Sequence, residues 1–303
     1  MAHAYDGCGG RSPQWWPSRY GEGDTLGAGN ELTPERTLEA LKIPRDGRVV
    51  ELAQVLQPDV PAFPPRMFYQ HILGHGALDA TLISVDGTQV SYFEEQVSQT
   101  YHIGCHVDGL GHVGIDGHFY NGVHYKDFFT PTGLTRYGME QVRPWVARGV
   151  CLDIAAVEGV AMLPEGFQIT PEHLEAAEKA QGVQVRAGDV ALVHTGWSNL
   201  WLRDDAYGKG EPGCTWEAGH WLTERRVSMV GADNWAFECI PFQKPEWPFV
   251  VHQHLLAETG TYILENIRTQ ELADGGHSEF LFLFAPNKVV GATGSMAAPL
   301  AVV

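Results

Sequence analysis

The sequence predicts an α/β or α+β domain built on a mixed central sheet, and three observations carry that expectation. Short apolar runs rich in β-branched or aromatic residues recur along the chain, each bounded by Gly or Asp; helix-start signals fall between them; and no internal repeat or low-complexity tract points elsewhere. The strand candidates are residues 49–56, 150–157, 190–195, 228–232, 261–267 and 280–284. Thr33-Pro34-Glu35 and Thr170-Pro171-Glu172 each offer a hydroxyl N-cap, a proline at the first helical position and an acid in the first turn, which together satisfy free amides and complement the helix dipole. Further helices are expected over residues 215–226 and 252–258.

A chain of 303 residues with 44% hydrophobic content can bury a sizeable core, and nothing in its composition demands two domains. Residues 48–303 are therefore expected to form one domain, preceded by an extension over 1–47. Its Pro- and Gly-rich start carries Trp15-Trp16-Pro17, so a packed arm is expected rather than a free tail, one able to cover a neighbouring subunit in a homo-oligomer. A formal net charge of −17 with no Lys/Arg stripe disfavours nucleic acid and anionic membranes as partners. No apolar stretch approaches the roughly eighteen residues needed to cross a bilayer, and the N-terminus does not read as a secretory signal, so a cytoplasmic protein is expected. Cysteines 8, 105, 151, 214 and 239 are odd in number, scattered and without a Cys-x-x-Cys pair, which fits reduced thiols. Cys105 could act as nucleophile or soft ligand, but packing is its expected role.

The stretch from His102 to His112, His-Ile-Gly-Cys-His-Val-Asp-Gly-Leu-Gly-His, concentrates the chemistry. Alternate residues of an extended strand share a face, so His106 and Asp108 project together, and an imidazole beside a carboxylate suits a borderline divalent ion. Glycines 104, 109 and 111 allow a turn that brings His112 back toward the same point. A polar strand end that happens to be His-rich is the bland alternative, and the clustering of ligand types argues against it.

This stretch resembles the signature of the cyclase-family metal-dependent hydrolases, the group containing bacterial kynurenine formamidase and isatin hydrolase, usually written His-x-Gly-Thr-x-x-Asp-x-Pro-x-His. His102, Gly104, Asp108 and His112 match; Cys105 stands in place of the Thr and Leu110 in place of the Pro. The run continuing to Phe119-Tyr120-Asn121-Gly122 looks like a longer-chain branch of that family. Downstream, residues 251–256 and 262–267 look like its helix-then-strand segment. That resemblance implies a β/β/α swivelling-type single domain and a metal site completed by His252 and Glu265, with Gln253 and His254 close enough to compete for the distal position.

The implied activity is hydrolysis of a small amide, cyclic amide or lactone with Zn²⁺ or Mn²⁺, one ion or two. The metal would polarise the acyl oxygen and lower the pKa of a bound water toward about 7. The expected ligands are His106, Asp108 and His252, with His112 and Glu265 either filling a second metal position or serving as proton shuttle and outer partner. His118 could act as an acid/base group or stand as an exposed loop histidine, and His102 is expected behind the ligands. Residues 233–235, Trp197, Phe63, Phe68 and Tyr69 are candidates for a pocket wall. Two rivals remain: a non-haem Fe(II) oxygenase using His106, Asp108 and His252, and a metal-binding relative without turnover.

Overall fold

The structure is a computed structural model that describes residues 15–73 and 93–303, together with four short strand segments at 4–5, 11–12, 83–85 and 88–90. Cys8 lies outside the described residues.

Nine strands make the principal sheet: β1 (Val49–Glu51), β2 (His106–Asp108), β3 (Trp145–Asp153), β4 (Val190–His194), β5 (Met229–Ala232), β6 (Tyr262–Glu265), β7 (Glu279–Phe284), β8 (Gly294–Met296) and β9 (Leu300–Val302). They lie in the order β8-β2-β6-β5-β4-β3-β7-β9-β1. The centre, β3 through β6, is parallel, while every pairing outside it is antiparallel. Parallel strands are buried on both faces and read as continuous apolar runs. Val190 to His194 is such a run, buried at every position. Alternate residues feed two cores: Val190 and Leu192 face a cluster with Trp145, Tyr262 and Phe280, whereas Ala191 and Val193 face one with Leu174, Trp221 and Leu255.

Helices cover the sheet as their caps predict. The Thr33 hydroxyl accepts from the Arg36 amide at 3.3 Å to open α1 (Pro34–Ala40). Thr170 and His173 form a reciprocal cap on α2 (Pro171–Gln181), which ends at Gly182 in the left-handed region. Thr215 caps α3 (Trp216–Glu224). The fourth helix, α4, starts as Val250–His252 and continues as a π-helical stretch, Gln253–Thr259.

The largest boundary shifts fall in two strand candidates. The run at 150–157 is strand only to Asp153, because the Asp153 carboxylate accepts the Ala156 amide at 2.8 Å and starts a helical turn over Ile154–Val157. The run at 49–56 stops pairing at Glu51; Leu52 instead bonds Pro299 and Arg268 through its backbone.

A separate antiparallel ribbon, Phe68–Leu73 with Glu94–Gln99, carries Tyr69 on its exposed surface. The Trp-rich segment packs on its own chain. Trp16 stacks on His118 with ring centroids 5.5 Å apart, the Asn121 side chain accepts the Ser18 amide, and Tyr120 donates to Asp24 at 2.7 Å.

Candidate metal centre

Strand register assembles the site. In β2 the pleat sends His106 and Asp108 to one side, and the antiparallel pairing with β6 sets His106 directly opposite Glu265. His252 arrives from the start of α4. All of these side chains are buried. The His106 Nε2 atom lies 3.4 Å from Asp108 Oδ1 and 3.2 Å from Glu265 Oε2, and His252 Nε2 lies 3.0 Å from Glu265 Oε1 and 3.8 Å from Asp108 Oδ2.

Hydrogen bonds behind the rings decide which nitrogen faces inward without a proton. His106 donates from Nδ1 to the Gly104 carbonyl at 2.8 Å, so its Nε2 carries a lone pair. That atom is buried with no hydrogen-bond partner and aims at two carboxylates. His252 repeats the arrangement, donating from Nδ1 to Glu238 Oε1 at 2.7 Å while its backbone amide donates to the same oxygen at 3.1 Å. His252 Nε2 lies within hydrogen-bond distance of Glu265 Oε1, at 3.0 Å, and a carboxylate or carbonyl behind each imidazole is the usual outer partner of a metal-bound histidine. The donor set of imidazoles and carboxylates fits a divalent ion.

Charge shifts report the same field. Burial pushes His106 down, yet Asp108 and Glu265 overcome it and raise its pKa to about 10. His252 is likewise lowered by burial but carried well above the usual imidazole value by Glu238 and Glu265. Asp108, raised by burial, is held well below the carboxylate range by His112 and His102. The pocket thus favours positive charge on the inner face of its imidazoles, which a proton or a metal ion can supply.

Two groups of three ligands share Asp108: His102/His106/Asp108 and Asp108/His252/Glu265, with ligand atoms in each group within 4.8 Å of one another. His102, expected behind the ligands, falls within the first of these groups. Its Nδ1 is 2.7 Å from Asp108 Oδ1 and its Nε2 is 2.9 Å from the Thr293 hydroxyl. Room for the ring exists because residue 294 is glycine; a Cβ there would lie 2.6 Å from His102 Cε1. His112 returns to the cluster through a turn in which its amide bonds the Gly109 carbonyl. Its ring stacks on His102 at 3.7 Å, but its Nε2 stops 3.9 Å from Asp108 and joins neither ligand group. Burial pushes its pKa down to about 3, which leaves it neutral across the physiological range.

Of the competing distal residues, Gln253 turns outward to the Pro248 carbonyl and His254 faces Glu258 and Thr223, which leaves His252 at the centre. His118 sits in the loop against Trp16 and His124, its Nδ1 3.2 Å from the Asp116 carbonyl. Cys105 is packed in the core, and burial pushes its thiol up, so it is no thiolate nucleophile.

Phe63 and Trp235, with ring centroids 4.4 Å apart, line a cavity of about 590 Å³ together with Tyr207. Tyr207 donates to Asn266, the residue after Glu265, at 2.6 Å, while none of the residues that line the cavity belongs to the His–Asp–Glu cluster. Phe68 and Trp197 belong instead to a small core beside it. Asp233 accepts from the Thr195 and Gly196 amides and Asn234 caps the Phe237 amide, so both shape turns, while Trp235 alone of the three lines the cavity. Glu238 is the functional residue that sequence reasoning missed, because its partner His252 lies fourteen positions away with no shared motif.

A buried His–Asp–Glu centre on a mixed α/β sheet defines a metal-dependent hydrolase-like protein, and the chain belongs to the cyclase family: the family model described as "Putative cyclase" matches residues 50–239, more than half its length. A crystal structure described as a novel cyclase is 29% identical and superposes with a TM-score of 0.85 over 94% of this chain and 96% of the other. Isatin hydrolase A from Ralstonia solanacearum is 25% identical, with a TM-score of 0.62 over 84% of this chain and 91% of its own. The isatin hydrolase A of Labrenzia aggregata, bound to benzyl benzoate, shares the fold at 24% identity and a TM-score of 0.63, covering 84% and 93%. No curated protein matches the sequence.

Proposed function

We propose that the protein hydrolyses a small cyclic amide, amide or lactone at a divalent-metal centre held by His102, His106, Asp108, His252 and Glu265. The observation that carries this reading is the pair of inward Nε2 atoms of His106 and His252 facing the Asp108 and Glu265 carboxylates, each ring held from behind at Nδ1. A bound Zn²⁺ or Mn²⁺ supplies Lewis acidity toward the acyl oxygen and acidifies water; this donor set suits either ion.

The chain's own groups do the rest. Gly104 and Glu238 hold the two rings in the tautomer that presents Nε2 inward. His112 stands beside the centre, neutral and partly open to solvent, where its Nε2 can accept a hydrogen bond from the attacking water and orient it. The cavity beside Trp235, Phe63 and Tyr207 falls within the volume range of small-molecule sites and presents an aromatic wall to a planar ring. Isatin, the substrate named for the similar hydrolases, is accordingly the first compound to test. A centre in which Asp108 serves two ligand groups has more donors than the three of a non-haem Fe(II) oxygenase, which weighs against that rival. The acidic surface, net −17, suits a soluble small-molecule enzyme in the cytoplasm, and a homo-oligomer is part of the same reading.

The test is turnover of isatin, simple lactones and N-acyl amides by protein loaded with Zn²⁺ or Mn²⁺. Metal-dependent hydrolysis of one class that vanishes in Asp108→Ala supports the proposal; loaded protein that hydrolyses none of them, or that consumes oxygen, overturns it.

A further inference from the structure

A second group of metal-ligating side chains lies on the far side of α4, where α3 packs against it. Residue 219 of α3 is glycine, and a Cβ there would lie 3.2 Å from Val251 Cγ1 and 3.7 Å from His254 Cδ2, so the helices approach closely and bring His220 onto His254. The two imidazoles stack with centroids 3.6 Å apart and planes 23° from parallel. Glu258, one turn after His254, places Oε2 2.8 Å from His254 Nδ1.

The Thr223 hydroxyl lies 2.9 Å from His254 Nε2 and 3.1 Å from the His220 carbonyl, so His254 is held on both ring nitrogens. His220 is not: its Nε2 is buried with no hydrogen-bond partner. A metal ion would give that atom a partner and draw on the adjacent imidazole and carboxylate.

We propose that His220, His254 and Glu258 form a second divalent-metal site, of the Zn²⁺ class, that clamps α3 to α4. Each residue offers one ligand atom and the three atoms lie within 4.8 Å of one another. Two imidazoles and a carboxylate are a zinc donor set, and three protein ligands leave the fourth tetrahedral position for water. Two ligands about 2.0–2.2 Å from a tetrahedral ion lie roughly 3.3 Å apart, so Glu258 needs to shift by about 0.5 Å, and the His220 ring must swing out of its stack on His254 for both in-plane lone pairs to meet one ion. His254 is buried while His220 and Glu258 are partly exposed, which gives the ion a route from solvent. His254 lies two residues after His252 on the same helix, so this ion braces, from the opposite face, the element that delivers His252 to the first centre. The assignment is independent of the substrate and of the first centre's chemistry.

The test counts zinc. Full-length, tag-free protein is stripped with chelator, and Zn²⁺ uptake is titrated against a competing chromogenic chelator for the wild type, Asp108→Ala, His220→Gln and Glu258→Gln, with thermal melts as a folding control. The wild type should take up at least one equivalent more than His220→Gln, Glu258→Gln should weaken that equivalent at least tenfold, and Asp108→Ala should retain it. In Asp108→Ala the retained equivalent should also change the fluorescence of Trp216, whose ring lies 4.0 Å from His220. Equal zinc uptake by the wild type and both helix variants, at Kd values below about 10 µM, means an ordinary imidazolium–carboxylate pair and overturns the proposal. If His220→Gln fails to fold, Glu258→Gln, changed on the partly exposed side, decides by the same criterion.

Discussion

Glu238 is the most informative residue to perturb, because its carboxylate binds His252 twice and touches no other ligand. Replacing it with alanine removes the acceptor of both the His252 Nδ1 proton, at 2.7 Å, and the His252 backbone amide, at 3.1 Å. Two buried donors are then left unsatisfied, each costing about 1–3 kcal/mol of stability. The ring also loses the restraint that keeps Nε2 turned inward. Loss of such an outer partner weakens metal binding about 10- to 100-fold, or about 1.4–2.7 kcal/mol. Glu238→Gln keeps an oxygen to accept the Nδ1 proton and should lose less than about tenfold. The assay is zinc competition against a chromogenic chelator, with melting curves recorded on the same samples. A Glu238→Ala protein that folds and binds metal with the wild-type Kd would refute the reasoning, since His252 would then need no orientation from behind.

Four other outcomes are expected. Asp108→Ala and His102→Ala should each lose most first-centre metal by elemental analysis; full occupancy in His102→Ala would return that residue to an outer role. His112→Gln should retain the metal yet lose more than tenfold in rate on any established substrate. Because burial holds His112 near a pKa of about 3, the pH–rate profile between pH 5 and 8 should keep its shape in this variant; a displaced profile would show that His112 titrates there. Glu31 is raised by burial but lowered further by Tyr20, Arg226 and Arg36, for a net depression. Its stabilising contribution is therefore full above the unfolded carboxylate value of about 4.3 and fades as pH falls through the lower folded value. Glu31→Gln should cost about 2 kcal/mol at pH 7 and flatten that acid limb, and denaturant melts at pH 3 and 7 would expose an unchanged slope. Reductant should leave the melting temperature unaltered, because Cys105, Cys151, Cys214 and Cys239 are free and buried; a drop of several degrees would contradict this.

The sequence by itself determined most of the strand and helix inventory of the sheet and the first half of the site, though not the closing strands β8 and β9. Apolar runs such as residues 190–194 and caps such as Thr170-Pro171 act within a few residues, and His106-x-Asp108 needs only the two-residue pleat to share a face. His252 and Glu265 were legible through a family resemblance rather than through local chemistry. Tertiary structure decided what depends on distant partners. Gly294, far along the chain, leaves space for the His102 ring beside Asp108, and His112 stacks on His102 with its Nε2 3.9 Å from Asp108. The choice among His252, Gln253 and His254 turned on rotation about one helix, where residues two apart face opposite sides. Glu238 was invisible because an outer-sphere bond is made across a fold and leaves no periodicity or spacing in the sequence. Local chemistry is written in neighbouring residues; the tautomer of a buried imidazole is set by whatever the fold places behind it.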